Sequence, residues 1–236
     1  AIRRQRQMCI RDRSHIIAAN VDQALLMVTL RSPETPKEFA DRFLVTCEAY
    51  KVPAAILLSK IDLQDAEAVA EFRAVYEGAG YRVLEVSAKE GRGVEEVREL
   101  LAGRTTLVSG NSGVGKSTLI QTIDPSLDIR TGEISDSHHK GRHTTTFSTM
   151  YPLAEGGAVI DTPGIKGFGL LDIDDAELWH YFPEMMRVAP GCRFYNCTHT
   201  HEPGCAVVEA VKAGEIAWSR YESYLKILDD DEKYRK

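Results

Sequence analysis

Short, mainly apolar runs alternate along this chain with longer stretches whose apolar positions recur at helical spacing. ALLMVTL (24–30), AAILLS (54–59), YRVLEVS (81–87) and TTLVSG (105–110) read as buried strands. Pro36 to Tyr50, Ala66–Gly78, Val94–Leu101 and Lys116–Ile123 read as the helices between and after them, and FSTMYPL (147–153) and GAVID (157–161) as a further pair of strands. Strands that are apolar along their whole length are covered on both faces, and their alternation with helices predicts an α/β fold with a mostly parallel sheet. Past a soft boundary near Leu171–Asp175 the rhythm changes. The remainder is helical at both ends, carries a Cys/His cluster between them, and finishes in a solvated charge run, DDDEKYRK. The pattern thus divides the chain into 14–172, an α/β unit, and 173–236, a small helical unit. AIRRQRQMCIRDR (1–13) has no apolar periodicity and reads as a disordered or artefactual tail without function.

Composition changes this picture little. Hydrophobic residues make up 43% and charged residues 27%, ordinary globular usage that excludes a fibrous or disordered chain. A net charge of −6 excludes a globally basic nucleic-acid coat, though not a local basic face. No apolar run approaches the roughly 18 residues needed to cross a bilayer, and no secretory signal follows the arginines, so a cytoplasmic protein without membrane association is expected.

The chemistry begins at GNSGVGKS (110–117), which fits G-x-x-x-x-G-K-[ST] between a strand and a helix. Glycines let the backbone curl so that successive N–H groups face phosphates. Lys116 can reach the β- and γ-phosphates, and the Ser117 hydroxyl can ligate Mg²⁺. Gly110, Asn111, Ser112, Gly113, Val114, Gly115, Lys116, Ser117 and Thr118 are the expected phosphate-binding set, with Lys116 counted as catalytic as well. DTPG (161–164) ends a later strand, where Asp161 can hold Mg²⁺ through water and the Gly164 N–H can touch a terminal phosphate. GRHTTT (141–146) lies between the two; one of Thr144, Thr145 and Thr146 can complete the Mg²⁺ shell, and spacing does not choose among them.

SKID (59–62) and SAK (87–89) each follow a strand. The Asp62 carboxylate can accept hydrogen bonds from the two donors on the guanine edge, which adenine lacks, while the Lys60 stem packs over the base. Ser59 can tie the loops, and a backbone N–H of the Ser87, Ala88, Lys89 loop can meet the guanine O6. Together they point to GTP and GDP rather than adenine nucleotides. Their order is inverted: in ordinary small GTPases the phosphate-reading motifs precede the base-reading pair. Native termini tend to lie close together, so rejoining them permutes the order without altering the sheet.

Of the five cysteines, three fall between Cys192 and Cys205. Cys192, Cys197, His199 and Cys205 form C-x4-C-x-H-x5-C, a closed tetrahedral donor set that leaves no position for a reacting water, hence one structural zinc. His201 is a rival for the nitrogen position. Cys47 reads as core, and Cys9 has no assigned role.

Permuted motif order followed by this cysteine spacing resembles the RsgA (YjeQ) family of small ribosomal subunit biogenesis GTPases, from about Ser14 (SHIIAANVDQ) to beyond Cys205. The resemblance implies GTP hydrolysis stimulated by the small ribosomal subunit, a part in its late maturation, and a helical zinc domain that contacts ribosomal RNA. Two departures stand out. The family carries an N-terminal oligonucleotide-binding barrel that 1–13 could not form, so the chain reads as a fragment. Ser59 stands where asparagine or threonine is usual, which implies weaker nucleotide binding.

Ras-like enzymes orient the attacking water with a glutamine just after D-x-x-G. Here that position is Ile165, which predicts slow intrinsic hydrolysis and another water-orienting group; His143 is the candidate, in keeping with the resemblance. Lys140 and Arg142 could steer phosphate, and Lys212, Arg220 and Lys226 offer scattered positive charge toward RNA. The leading expectation is a monomeric GTPase acting on the small ribosomal subunit. A GTP-dependent RNA-binding module that barely hydrolyses is the alternative that Ile165 favours; an adenine-nucleotide enzyme is the third, and Asp62 argues against it.

Overall fold

The computed structural model describes residues 9–12, 15–127, 149–161 and 173–234. Strands β1 (Cys9–Asp12) and β2 (His15–Ala19) form an antiparallel pair, so part of the stretch read as a disordered tail is paired backbone. The apolar runs become β3 (Gln23–Val28), β4 (Ala54–Ser59), β5 (Arg82–Val86) and β6 (Thr105–Gly110). The helices among them are α1 (Lys37–Ala49), α2 (Ala66–Ala79) and α3 (Val94–Leu101), and α4 (Lys116–Ile123) follows β6. A hairpin of β7 (Thr149–Pro152) and β8 (Ala158–Asp161) completes a six-stranded sheet of order β5-β4-β3-β6-β8-β7, in which only β7 runs antiparallel.

Alternation along each strand sorts the core into two layers, because successive side chains leave a strand on opposite faces. Leu26, Val28, Ile56 and Leu58 meet Phe43, Leu44 and Cys47 of α1 and Phe72 and Tyr76 of α2. Leu25, Met27, Leu57 and Val108 meet Val97 and Leu101 of α3 and Leu119 and Ile120 of α4. Each such buried aliphatic side chain contributes about 1.5–3 kcal/mol. Cys47 is fully buried, as the helical spacing predicts, and burial pushes its thiol well up. Helix α2 stops at Gly80, whose φ of 106° a side chain would disfavour, and the Tyr81 N–H returns to the Tyr76 carbonyl.

The C-terminal region holds α5 (Pro183–Val188), α6 (Ala206–Ala213) and α7 (Trp218–Tyr234). Its small core of Leu178, Phe182, Met185, Val207, Tyr224 and Ile227 also takes in Val45 from the outer side of α1. Helix α1 is therefore shared, one side on the sheet and the other on the helical region. Arg220 fastens the junction. Its guanidinium donates to Asp41 of α1 at 2.5 Å and to Glu184 of α5 at 2.7 Å, and sits 4.8 Å from the centre of the Phe182 ring. This corrects the expectation of a surface cation: Arg220 is 1% exposed, because it lies beside the buried stripe of Tyr221, Tyr224 and Ile227 rather than opposite it. Lys212 and Lys226 are on the surface, paired with Glu209 and with Glu38 and Glu222.

Candidate nucleotide site and metal cluster

Parallel strands end together, and their register places the predicted motifs along one edge of the sheet. Ser59 pairs with Val86, Met27 with Gly110, and Val108 with Asp161. The loops after β4, β5 and β6 consequently leave the sheet side by side, with β3 between the base-reading pair and the phosphate loop. The carboxyl edge of an open α/β sheet is where such folds bind ligands.

The phosphate loop is pressed onto β3. A Cβ on Gly110 would stand 2.5 Å from the Met27 carbonyl oxygen, so no larger residue fits. Val114 is fully buried and anchors the loop's middle, leaving Ser112 and Gly113 exposed. Gly115 precedes α4, and Ser117 and Thr118 lie in the helix's first turn, where N–H groups have no intrahelical partner. Lys116 is buried and donates to the carbonyls of Gly110 at 2.5 Å and Asn111 at 3.0 Å. Its ammonium is thus folded over the loop that it would leave to meet phosphate.

Asp161 is buried opposite Lys116, and its Oδ1 has no hydrogen-bond partner among the described residues. Burial raises the Asp161 carboxyl, with Lys116 pulling it partly back; burial lowers the Lys116 ammonium, with Asp161 opposing. An unpartnered buried carboxylate oxygen beside the first turn of a phosphate-loop helix fits the needs of a divalent cation carried by a nucleotide.

On the other side of β3, Ser59 is buried at the end of β4, and a Cβ on Gly115 would lie 3.5 Å from its hydroxyl. Ser59 therefore borders the phosphate loop. Lys60 adopts a left-handed conformation with φ of 56°, which turns the chain sharply into a short 3₁₀ turn holding Asp62. A hydrogen bond from Ser87 is the main cause holding the Asp62 carboxyl below its ordinary value, with Lys89 and Arg92 adding attraction. Ser87 is fully buried, exchanges backbone hydrogen bonds with Arg92, and accepts the Glu90 N–H at 3.3 Å. Ala88 packs on the core beneath, which leaves Asp62 at the mouth of the site with its carboxylate oriented. His143, Thr144, Thr145, Thr146, Gly164 and Ile165, with Lys140 and Arg142, lie outside the described residues.

Sequence reasoning missed the loop after β3. The Ser32 carbonyl accepts a hydrogen bond from Lys60 Nζ at 2.6 Å, and Pro33 abuts Gly113. The signal was present in RSPETP, a turn-rich run at a strand end, but it carries no ligating side chain.

In the helical region the Sγ atoms of Cys192, Cys197 and Cys205 and a ring nitrogen of His199 all lie within 4.8 Å of one another. Cys192 and Cys205 sulfurs are 3.9 Å apart, and His199 Nδ1 is 3.5 and 3.4 Å from them. A zinc tetrahedron with ordinary bond lengths has edges of about 3.8 Å between sulfurs and about 3.6 Å from sulfur to nitrogen. The donor set fits one such ion. Burial raises the Cys197 and Cys205 thiols, so their thiolates call for a cation. His199 takes the nitrogen position, with the edge of Trp179 against its ring, whereas His201 is exposed and engaged with Thr200. Glu202 accepts the N–H groups of Thr198, Thr200 and His201, shaping the turn that carries His199.

A family model described as RsgA GTPase matches residues 1–171. A relative from Porphyromonas gingivalis, named small ribosomal subunit biogenesis GTPase RsgA, is 53% identical over 230 residues, covering 94% of this chain and 73% of the relative. A protein of the same name from Christiangramia forsetii is 48% identical, covering 93% and 70% of the two chains. Among solved structures, YjeQ from Thermotoga maritima superposes with a TM-score of 0.77 at 40% identity, over 90% of this chain and 72% of that one. YloQ, described as a circularly permuted GTPase, gives 0.72 at 29% identity, over 92% and 70%.

Proposed function

Since this chain belongs to the RsgA GTPase family, we propose that it binds and hydrolyses GTP in the late maturation of the small ribosomal subunit, and that the subunit stimulates the hydrolysis. One observation carries the guanine assignment: the loops bearing Asp62 and Ser87 leave adjacent parallel strands in register, Ser59 opposite Val86, on the sheet edge that also holds the phosphate loop. A carboxylate held deprotonated there matches the paired donors of guanine and repels the acceptor that adenine presents. The division at 14–172 and 173–236 follows, with nucleotide chemistry in the first part and a structural zinc domain in the second.

Lys60 covers the base, Ser59 ties its loop to Gly115, and the Ser87–Lys89 loop offers a backbone donor to the guanine oxygen. Backbone N–H groups from Gly110 to Thr118 line the phosphates. Lys116 exchanges its two loop carbonyls for phosphate oxygens, placing positive charge where negative charge accumulates during cleavage. Mg²⁺ bound with GTP would supply further charge neutralisation there. Ser117 and Asp161, with one of Thr144, Thr145 and Thr146, are the groups to hold it, and Gly164 senses the terminal phosphate. Without a glutamine at Ile165, intrinsic turnover is slow, and His143 orients the water once the subunit is engaged. Cys192, Cys197, His199 and Cys205 hold one zinc that shapes a surface for ribosomal RNA. The protein acts as a cytoplasmic monomer.

Turnover of GTP with and without purified small subunits tests this reading. Stimulation that is abolished in Lys116→Ala and strongly reduced in His143→Ala is expected. GTP bound tightly but never hydrolysed, with or without subunits, would overturn the enzymatic part.

A further inference from the structure

We propose that the loop from Thr29 to Thr35, between β3 and α1, is a positioning element that holds the base-reading lysine and the phosphate loop in one fixed relation. The inference rests on the guanine-nucleotide reading above and adds to it a part that bears no ligating side chain of its own.

The loop is closed on itself before it touches anything else. The Thr35 N–H donates to the Thr29 carbonyl at 2.8 Å, and the Thr29 N–H to the Thr35 hydroxyl at 3.1 Å. The Thr29 hydroxyl, fully buried, donates to the Pro33 carbonyl. Three internal hydrogen bonds fix a corner whose outer parts are the Ser32 carbonyl and the Pro33 ring. Arg31 tethers it further to Asp65, just ahead of α2, at 2.6 Å.

That corner faces two ways. The Ser32 carbonyl receives the Lys60 ammonium at 2.6 Å, and a Cβ on Gly113 would lie 3.4 Å from Pro33 Cδ. Strand β3 runs between β4 and β6, so its loop leaves the sheet between the two motif loops and touches both. Holding a lysine side chain in one conformation costs up to about 2 kcal/mol of rotamer entropy. A fixed acceptor imposes part of that order before nucleotide arrives, which favours binding without changing the chemistry at the terminal phosphate. Thr29 and Thr35 act through Lys60 and Gly113 and touch no nucleotide themselves.

The test is a double-mutant cycle read by titration of the full chain with a fluorescent GDP. Thr29→Val removes the hydroxyl at nearly constant volume and should weaken GDP by about fivefold to tenfold, with GTP turnover at saturation unchanged. Thr29→Ser should restore affinity. In a Lys60→Ala background the same Thr29→Val change should cost less than half as much in fold terms, because its route through Lys60 is already gone and only the contact of Pro33 with Gly113 remains. Equal losses in both backgrounds, or no loss in the parent, would overturn the inference. Should Thr29→Val fail to fold, Thr35→Val, at a partly exposed position, carries the identical cycle. Failure of the unmodified chain to bind GDP would instead remove the guanine reading, and this inference with it.

Discussion

At the carboxyl edge of the sheet, the groups suited to a nucleotide hang from strand ends above a core of apolar side chains, whereas in the helical region the chemically active groups are themselves the core. Asp62 and Lys60 lie outside the clusters that hold Leu26, Ile56 and Val108, and the phosphate loop enters the core through Val114 alone among its side chains from Asn111 to Gly115. Cys197, His199 and Cys205 are buried among Leu178, Phe182 and Tyr221, and cannot move without them. The difference follows from size. A six-stranded sheet with helices on both faces buries enough apolar surface to carry polar loops, while short helices and turns do not and need a cross-link. Here the cross-links are the Cys/His cluster and the ion group that joins Arg220 of α7 to Asp41 of α1 and Glu184 of α5.

The sharpest way to separate the halves is to remove the cluster. Cys205→Ala should lower bound zinc from one per chain to none and unfold the helical region, seen as a change in the fluorescence of Trp179 beside His199. GDP affinity should fall far less. Loss of both together would show that the halves stand as one unit. Next in size is Arg220→Ala, which strands Asp41 and Glu184 as buried carboxylates. It should cost about 3–5 kcal/mol in denaturant unfolding, and Arg220→Lys should recover little because one ammonium cannot reproduce the fork.

Asp161→Asn should act in the opposite sense on the sheet half. Burial raises the Asp161 carboxyl in the nucleotide-free fold, so its contribution to stability is fully present below its ordinary value of 3.8 and is lost as pH rises through the higher folded value. Replacing it should stabilise the nucleotide-free protein at neutral pH by about 1 kcal/mol, flatten this pH dependence, and abolish Mg²⁺-dependent GTP turnover. Thermal melts across pH, with turnover on the same samples, check all three. The smallest effect belongs to Lys226→Ala. Its partners Glu38 and Glu222 are solvent-exposed, and the denaturation midpoint should not move.

The sheet was legible because β3, β4, β5 and β6 each hold an apolar run of two to five residues, bounded by loops dense in glycine, proline and charge. The motif loops were legible because their chemistry lies in side chains at fixed spacing. Arg220 was not: a cation on an amphipathic helix reads as surface unless its partners, 179 and 36 residues away, are known. Ser32 was not legible either, since what it contributes is a carbonyl group that every residue carries. Spacing left His201 a close rival to His199, because the two stand only two residues apart; the fold buries His199 against the three sulfurs and leaves His201 exposed.

The proposed function turns on Asp62 reading the base in one guanine site assembled from two motif sets in inverted order. Titration of the chain and of Asp62→Asn with GDP and with xanthosine diphosphate tests it most directly. Asparagine offers a donor where xanthine has a carbonyl oxygen and guanine an amino group. The substitution should therefore weaken GDP by roughly a hundredfold and strengthen the xanthosine nucleotide. Unchanged GDP affinity in Asp62→Asn would contradict the assignment.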